Sequence, residues 1–276
     1  MRIALVADST ADIPEDLTRL YQISVVPTIL VINGQNFEDG KGISRDDFYR
    51  QLPDMKTLPT TASPSAGTYM RVYEHLLTNG FDHVVSVHLS NVLSGAINVA
   101  RTGAEKFNGH IHLVDSEQLS MGIGFQVLAA AEAAQQGANL DEVLAVIKHT
   151  RDRVHVYAML STLAFVRRSG RISWVEASAG EILKIKPFLT LRNGIPRRHG
   201  EARSRAKGIQ RLYDILSDLG SLERLAILHT NPDAEAREMA ARFTSQTSQP
   251  PLVVQATPVI GTHVGPNGIG FAAVVR

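Results

Sequence analysis

The residues best suited to chemistry fall at three junctions where an apolar run gives way to hydroxyls and carboxylates. A run ending at Ala7 leads into Asp8-Ser9-Thr10, one ending at Leu89 into Ser90-Asn91-Val92-Leu93-Ser94-Gly95, and one ending at Val114 into Asp115-Ser116. Each junction then enters a helical pattern. In a parallel open sheet the carboxyl ends of all strands share one edge, and helix amino termini there present unpaired N–H groups to an anion. Three hydroxyl-rich junctions along such an edge describe a pocket for an oxyanion. Any one of them alone reads as helix capping, since Ser, Thr and Asp are preferred N-caps. Their coincidence, together with Thr60-Thr61-Ala62-Ser63-Pro64-Ser65 before a further helix, favours the pocket.

Near the carboxyl end, Gly261-Thr262-His263-Val264-Gly265-Pro266-Asn267-Gly268-Ile269-Gly270 sets a histidine among four glycines. Such a stretch either lets backbone approach a ligand closely or joins two strands as a tight loop, and the local pattern leaves both open. It lacks the Gly-Lys-Ser/Thr ending of a P-loop, and it leads to a strand rather than a helix, so it is no dinucleotide fingerprint. A Ser94–His263–Asp8 triad is also permitted, without the Gly-x-Ser-x-Gly that marks many hydrolases. The ten histidines include no His-Glu-x-x-His pair, and His110-x-His112 lacks a third ligand nearby in sequence, so no metal is expected.

The elements that must position these residues alternate. Ile3–Ala7 reads as a strand and Pro14 to Tyr21 as a short helix; Val25–Ile32 reads as the next strand, and 33–65 as a Gly-, Pro-, Ser- and Thr-rich connection. Helical spacing through Tyr69, Val72, Tyr73, Leu76 and Leu77 stops at Asn79-Gly80. Val84–Leu89, a helix from near Ser94, Ile111–Val114 and a helix from about Ser120 to Gln135 repeat the pattern, which implies a mostly parallel sheet covered on both faces. A helix through Leu140, Val143, Leu144 and Ile147 and a strand at Val156–Leu160 follow. Beyond a boundary placed near residue 161 come Phe188–Leu191, a helix from Ile209 to Leu219, Leu225–His229, a helix opened by Asn231-Pro232, Leu252–Ala256 and Phe271–Val275. The expected fold is α/β with two domains. Residues 1–161 form a larger α/β/α parallel-sheet domain, and 162–276 a smaller α/β domain with a mixed sheet.

Composition excludes several alternatives. With 276 residues, 44% of them hydrophobic, no cysteine and a net charge of +1, the chain is neither disordered nor a disulfide scaffold. Without cysteine it has no thiol nucleophile, iron–sulfur ligand or disulfide. The apolar start is too short for a signal-peptide core, and no segment approaches the roughly 18 apolar residues of a membrane span. A soluble, cytoplasmic protein is expected. The total charge hides a split: 167–211 carries twelve Lys and Arg against three Glu, net +9, leaving −8 elsewhere. A basic stretch of this kind is by default a solvated face; without a helix-turn-helix, stacking platform or zinc module, no specific nucleic-acid partner is expected.

The motifs taken together are familiar. Asp8-Ser9-Thr10-Ala11-Asp12-Ile13-Pro14, Thr61-x-x-Pro64-Ser65, Leu93-Ser94-Gly95, Asp115-Ser116, Ser169-Gly170-Arg171-Ile172, Leu183-Lys184-Ile185-Lys186-Pro187 and Gly261-Thr262-His263-Val264-Gly265-Pro266 occur in this order across the whole chain. The set resembles the DegV family of bacterial fatty-acid-binding proteins. The resemblance implies one long-chain fatty acid held in a tunnel between two domains and presented to a separate fatty-acid kinase for acyl-phosphate formation. It implies a lipid-binding carrier without ATP chemistry or a cofactor of its own. By position, Thr61 and Ser94 would bond the carboxylate, Gly95 and His263 would complete the pocket, and Arg171 would lie near the head group. Asp8, Ser9, Asp115 and Ser116 would support it. The chain departs from the usual family pattern at Ala62-Ser63 and at Ala96-Ile97-Asn98, in the surroundings of the two hydroxyls. An alternative from the enzyme class uses His263 on a small metabolite, by analogy with the substrate-binding half of dihydroxyacetone kinases.

Overall fold

The computed structural model describes residues 1–171 and 185–276, so Ile172 and Leu183-Lys184 of the motifs above lie outside the described residues. The chain begins with β1 (Ile3–Asp8), all six residues buried, then α1 (Glu15–Leu20) and β2 (Ser24–Val26). The strand expected over Val25–Ile32 is broken at Pro27, which has no N–H to give a ladder. Its second half, β3 (Ile29–Ile32), leaves the first sheet for another. It pairs antiparallel with β4 (Gln35–Glu38) and with β5 (Thr60–Ala62). Asn33 and Gly34, both at positive φ, make the two-residue hairpin between β3 and β4. With α2 (Arg45–Gln51), these strands form a small layer around Leu30, Phe48, Tyr49 and Leu52, in what reads from sequence as a connection.

Then come α3 (Ala66–Thr78), β6 (His83–His88), α4 (Ala96–Ala104), β7 (Ile111–Asp115), α5 (Met121–Gln135) and α6 (Leu140–Arg153). The first sheet runs β2-β1-β6-β7, parallel throughout. Ala4, Val6 and Val84 face one apolar cluster with α3, and Leu5, Ala7, Val85 and Val87 face another with α5 and α6. Both faces are covered, which is why these strands read as continuous apolar runs.

The second sheet takes β8 (Val154–Met159), β9 (Lys186–Arg192), β10 (Ile195–Ala202), β11 (Leu222–His229), β12 (Leu252–Gln255) and β13 (Ile269–Val275), in the order β10-β9-β8-β13-β11-β12. Only the β11–β12 pair is parallel, so the sheet is mixed. Short α7 (Ala164–Ser169) follows β8, while α8 (Arg205–Asp218) and α9 (Asp233–Phe243) cover one face with Leu212, Leu216, Met239 and Phe243. The glycine-rich stretch is no simple loop between strands. Thr257 caps α10 (Pro258–Val264), its hydroxyl accepting from the Ile260 N–H, and proline occupies the first helical position. The chain is therefore a mixed α/β protein with a parallel sheet and a mixed sheet. Among the described residues, no helix is long and apolar enough to cross a membrane.

Between the sheets lies α5. Its cluster takes Leu5, Val85 and Val87 from one side and Val156, Leu228, Ala272 and Val274 from the other. A Cβ at Gly124 would stand 2.9 Å from the Ala11 carbonyl oxygen and 2.7 Å from Met121 Sδ. With backbone rather than a flexible chain end in the way, overpacking in Gly124→Ala is expected to cost toward the upper end of about 1–3 kcal/mol against the ~1 kcal/mol gained in helix propensity, a net loss of about 1–2 kcal/mol. Urea denaturation checks this, and an unchanged or raised midpoint would contradict it.

Candidate functional site

At the carboxyl edge of β1 and β6, where α5 begins and the small layer meets α10, lies a cavity of about 270 Å³. Its walls are mainly aliphatic, with Leu89, Leu119, Val156, Leu160, Leu189 and Leu228 among them. Hydroxyls and two imidazoles, His229 and His263, also line it. Thr61 lies on β5, half-buried between the exposed Thr60 and Ala62, and lines the cavity together with Ala62. His263 lies in the last turn of α10. Thr61 Oγ1 and His263 Nε2 share a hydrogen bond of 2.9 Å across 202 residues of chain. Ser94 stands just before Gly95, the N-cap of α4, and its Oγ accepts the Ala96 N–H at 3.2 Å. Ser94, Gly95, Thr61, His263 and Arg171 all line the cavity. Arg171 is exposed and its guanidinium donates to the Ser169 carbonyl at 2.5 Å, so its charge sits at the rim.

Asp8 reaches the cavity wall from below, fully buried. The Tyr69 hydroxyl donates to it at 2.7 Å, His88 Nδ1 lies at 3.1 Å, and the Leu89 N–H donates at 3.2 Å. The line continues through His88 Nε2 to Ser86 Oγ at 2.9 Å, which accepts from Tyr73 at 3.0 Å. Burial pushes the Asp8 carboxyl up, but the His88 charge and these hydrogen bonds outweigh it and hold the group below its ordinary range. The histidine bonded to Asp8 is thus His88. His263 is engaged with Thr61, so the Ser94–His263–Asp8 triad is not assembled.

The other expected supports act a layer back. Ser9 Oγ accepts the Thr28 N–H at 3.1 Å, Asp115 accepts the N–H groups of Asn91 and Glu117, and Ser116 Oγ accepts the Gln118 N–H. None of these three side chains lines the cavity; the loop they shape brings Leu119 and Ser120 to it. Thr28 and Thr230 also line the wall and went unread in the sequence. Thr230 follows β11 as Ser9 and Leu89 follow their strands, so the same strand-end rule points to it. Its Oγ1 donates to the Gly265 carbonyl and accepts the Gly268 N–H, pinning the turn after α10.

The family model described as "Uncharacterised protein, DegV family" matches residues 2–276. The chain belongs to the DegV family. Among DegV relatives, a DegV domain-containing protein of Caldanaerobacter subterraneus is 33% identical, over 98% of this chain and 97% of its own. Protein DegV of Bacillus subtilis is 31% identical over 98% of both chains. Among solved structures, a Thermus thermophilus DegV family protein described by its fatty acid binding superposes with a TM-score of 0.90 at 32% identity, covering both chains fully. The structure of DegV from Bacillus subtilis, described as a fatty acid binding protein, gives 0.89 at 29% identity and the same coverage.

In this DegV chain the charge state of His263 decides what the polar side offers. Burial, and to a lesser degree the Arg171 charge, pushes its pKa down to about 4. The ring is therefore neutral near pH 7. Since the unfolded chain takes up this proton first, the group lowers stability as pH falls from about 6.5 toward 4, and is without effect above that window. An NMR titration of the ring nitrogens is expected to give a midpoint near 4. Arg171→Ala should raise the midpoint without restoring the ordinary value, because burial is the larger cause; a midpoint near 6.5 in the unaltered protein would contradict the assignment.

Proposed function

We propose that this chain binds one long-chain fatty acid non-covalently in the cavity, its carboxylate at Thr61, Ser94 and His263, and presents that carboxylate to a separate fatty-acid kinase in the cytoplasm. The observation that carries the reading is one cavity that combines mainly aliphatic walls with hydrogen-bonding groups, the bonded Thr61–His263 pair and Ser94 among them. The fatty acid binding described for the Thermus thermophilus and Bacillus subtilis proteins, similar along the full chain, supports it.

The energetics suit a carrier. At about 0.8 kcal/mol per buried methylene, a tail of about fifteen carbons offers roughly 12 kcal/mol before ordering costs. The chain has no cysteine, so no thioester is available and affinity comes from burial. Ser94 accepts from backbone while its hydroxyl proton is available to a carboxylate, and the amino terminus of α4 adds its dipole. A neutral imidazole and hydroxyls orient the carboxylate without a tight ion pair, which leaves its oxygen nucleophilic toward an incoming phosphoryl group. Arg171 at the rim would offset charge as that group arrives. The chain itself supplies binding and orientation, and the kinase supplies the chemistry.

Native mass spectrometry after lipid extraction and exchange with oleate tests the reading. One bound acyl chain is expected; no recovered lipid together with no oleate uptake would overturn it. Thr61→Ala and Ser94→Ala should each weaken oleate binding by about 1.5–3 kcal/mol, the worth of a charged hydrogen bond, and a double variant that binds like the unaltered protein would displace the carboxylate from these residues. With a fatty-acid kinase and ATP added, acyl phosphate should form only when this protein is present.

A further inference from the structure

The pair His110-x-His112, which in sequence stands without a third ligand, gains one in the fold. β6 and β7 run parallel with Val85 opposite His112, so His83, at the first position of β6, falls beside His110, just ahead of β7. Side chains two apart on a strand share a face, and all three imidazoles therefore stand on the face that also carries Val85. His83 Nδ1 and His112 Nε2 are 3.1 Å apart; the ring centroids of that pair are 5.1 Å apart and those of His83 and His110 5.7 Å. The cluster lies at the amino edge of the parallel sheet, the length of β6, about 17 Å, from the edge that carries the cavity.

The distances are those of a chelate. Imidazole nitrogens bind zinc at about 2.0–2.1 Å, so two ligands of a tetrahedral ion stand about 3.3–3.4 Å apart, and two at right angles about 2.9 Å. The 3.1 Å between His83 Nδ1 and His112 Nε2 falls between these. Each ring must also offer a lone pair. His110 Nδ1 lies 2.8 Å from the Asp82 carbonyl oxygen, which can only accept, so Nδ1 carries the proton and the neutral ring leaves Nε2 bare. Donation of the second ring N–H to a backbone carbonyl is the usual support of a metal-bound histidine. His112 is half-buried; burial first, and then the neighbouring His83 and His110, push its pKa down, so its ring is neutral near pH 7. Among the described residues no three such groups already meet at one point. Here two nitrogens stand at chelating distance and the third ring is stacked against one of theirs.

The geometry points to a site for one divalent transition-metal ion that favours imidazole, Zn²⁺, Cu²⁺ or Ni²⁺, chelated by His83 Nδ1 and His112 Nε2, with His110 Nε2 as third ligand and water completing the shell. The proton that lies between His83 and His112 moves through water to the far nitrogen of its own ring, so both rings bind neutral and the ion keeps its charge. Coordination joins β6 to β7, the edge strand of the parallel sheet. Lying at the opposite edge from the cavity, the site stands independently of the fatty-acid reading.

Calorimetric titration of untagged, chelator-stripped, full-length protein with Zn²⁺ at pH 7 tests the site. One ion per chain should be taken up at micromolar concentration. His83→Asn and His112→Asn should each weaken uptake by about tenfold or more, while His75→Asn, on α3 and outside the cluster, should bind as the unaltered protein does. Unaltered affinity in both cluster variants, an equal loss in His75→Asn, or no saturable uptake below about 1 mM Zn²⁺ overturns the site. Should a variant fail to fold, the unaltered protein decides alone. With one Cu²⁺ bound, its electron paramagnetic resonance spectrum should show coupling to at least two imidazole nitrogens, and coupling to fewer overturns the assignment.

Discussion

One helix sets the plan of the molecule. Residues of α5 are buried nearly all the way round, including Met121, Ile123, Phe125, Val127, Leu128, Ala130 and Ala131. A helix that is apolar on all sides cannot sit on one sheet and face water; it must be covered from both directions. The parallel sheet supplies one cover and the mixed sheet the other, which is why a single cluster draws strands from both. Small residues let the covers come close: a Cβ at Gly122 would lie 2.8 Å from Val156 Cγ2. The cavity is the other side of the same constraint. At Leu119 and Ser120, where the helix begins, the filler between the sheets ends and the space is left to be lined by strand ends.

That position explains the chemistry on offer. Strand ends at a sheet's carboxyl edge bring hydroxyls and helix amino termini, whereas the sheet faces bring aliphatic side chains. The two meet in one space. Charge is kept out of its centre: Asp8 is bonded away from it to His88, Tyr69 and Leu89, His263 is uncharged by burial, and Arg171 stands at the exposed rim. An anion entering such a space passes the Arg171 charge at the mouth and is then met by dipoles inside.

Much of this was legible in the sequence, for identifiable reasons. The strand-end rule found Asp8 and Ser94 because a buried parallel strand is a continuous apolar run with an abrupt polar end, a pattern local to five or six residues. The small antiparallel layer escaped because its strands are short and half-exposed, and Pro27 divides an apolar run whose halves join different sheets. Two signals were present. Asn33-Gly34 and Asn193-Gly194 both adopt positive φ in two-residue hairpins, and the second announces β10, which carries only scattered apolar residues. Four glycines in ten residues obscured α10, although Thr257-Pro258 is an N-cap followed by proline at the first helical position. The Thr61–His263 bond was out of reach of pattern reading altogether, since its partners are 202 residues apart.

That bond also shows where the geometry of the head-group side is controlled. Thr61 and His263 belong to elements that share no sheet: β5 is in the three-stranded layer, and α10 connects two strands of the six-stranded one. Their 2.9 Å separation therefore depends on how the three-stranded layer and α2 together rest on α10. Tyr49 is the bearing of that contact. Its hydroxyl donates to the Ala256 carbonyl, and its ring fills the space over Gly261, where a Cβ would lie 2.5 Å from the phenolic oxygen. Because hydrogen bonds weaken steeply with distance and angle, a displacement of about 1 Å at this bearing is enough to unmake the pair without altering any residue that lines the cavity. The polar side of the cavity is thus held from behind, by a contact between helices that touches no ligand.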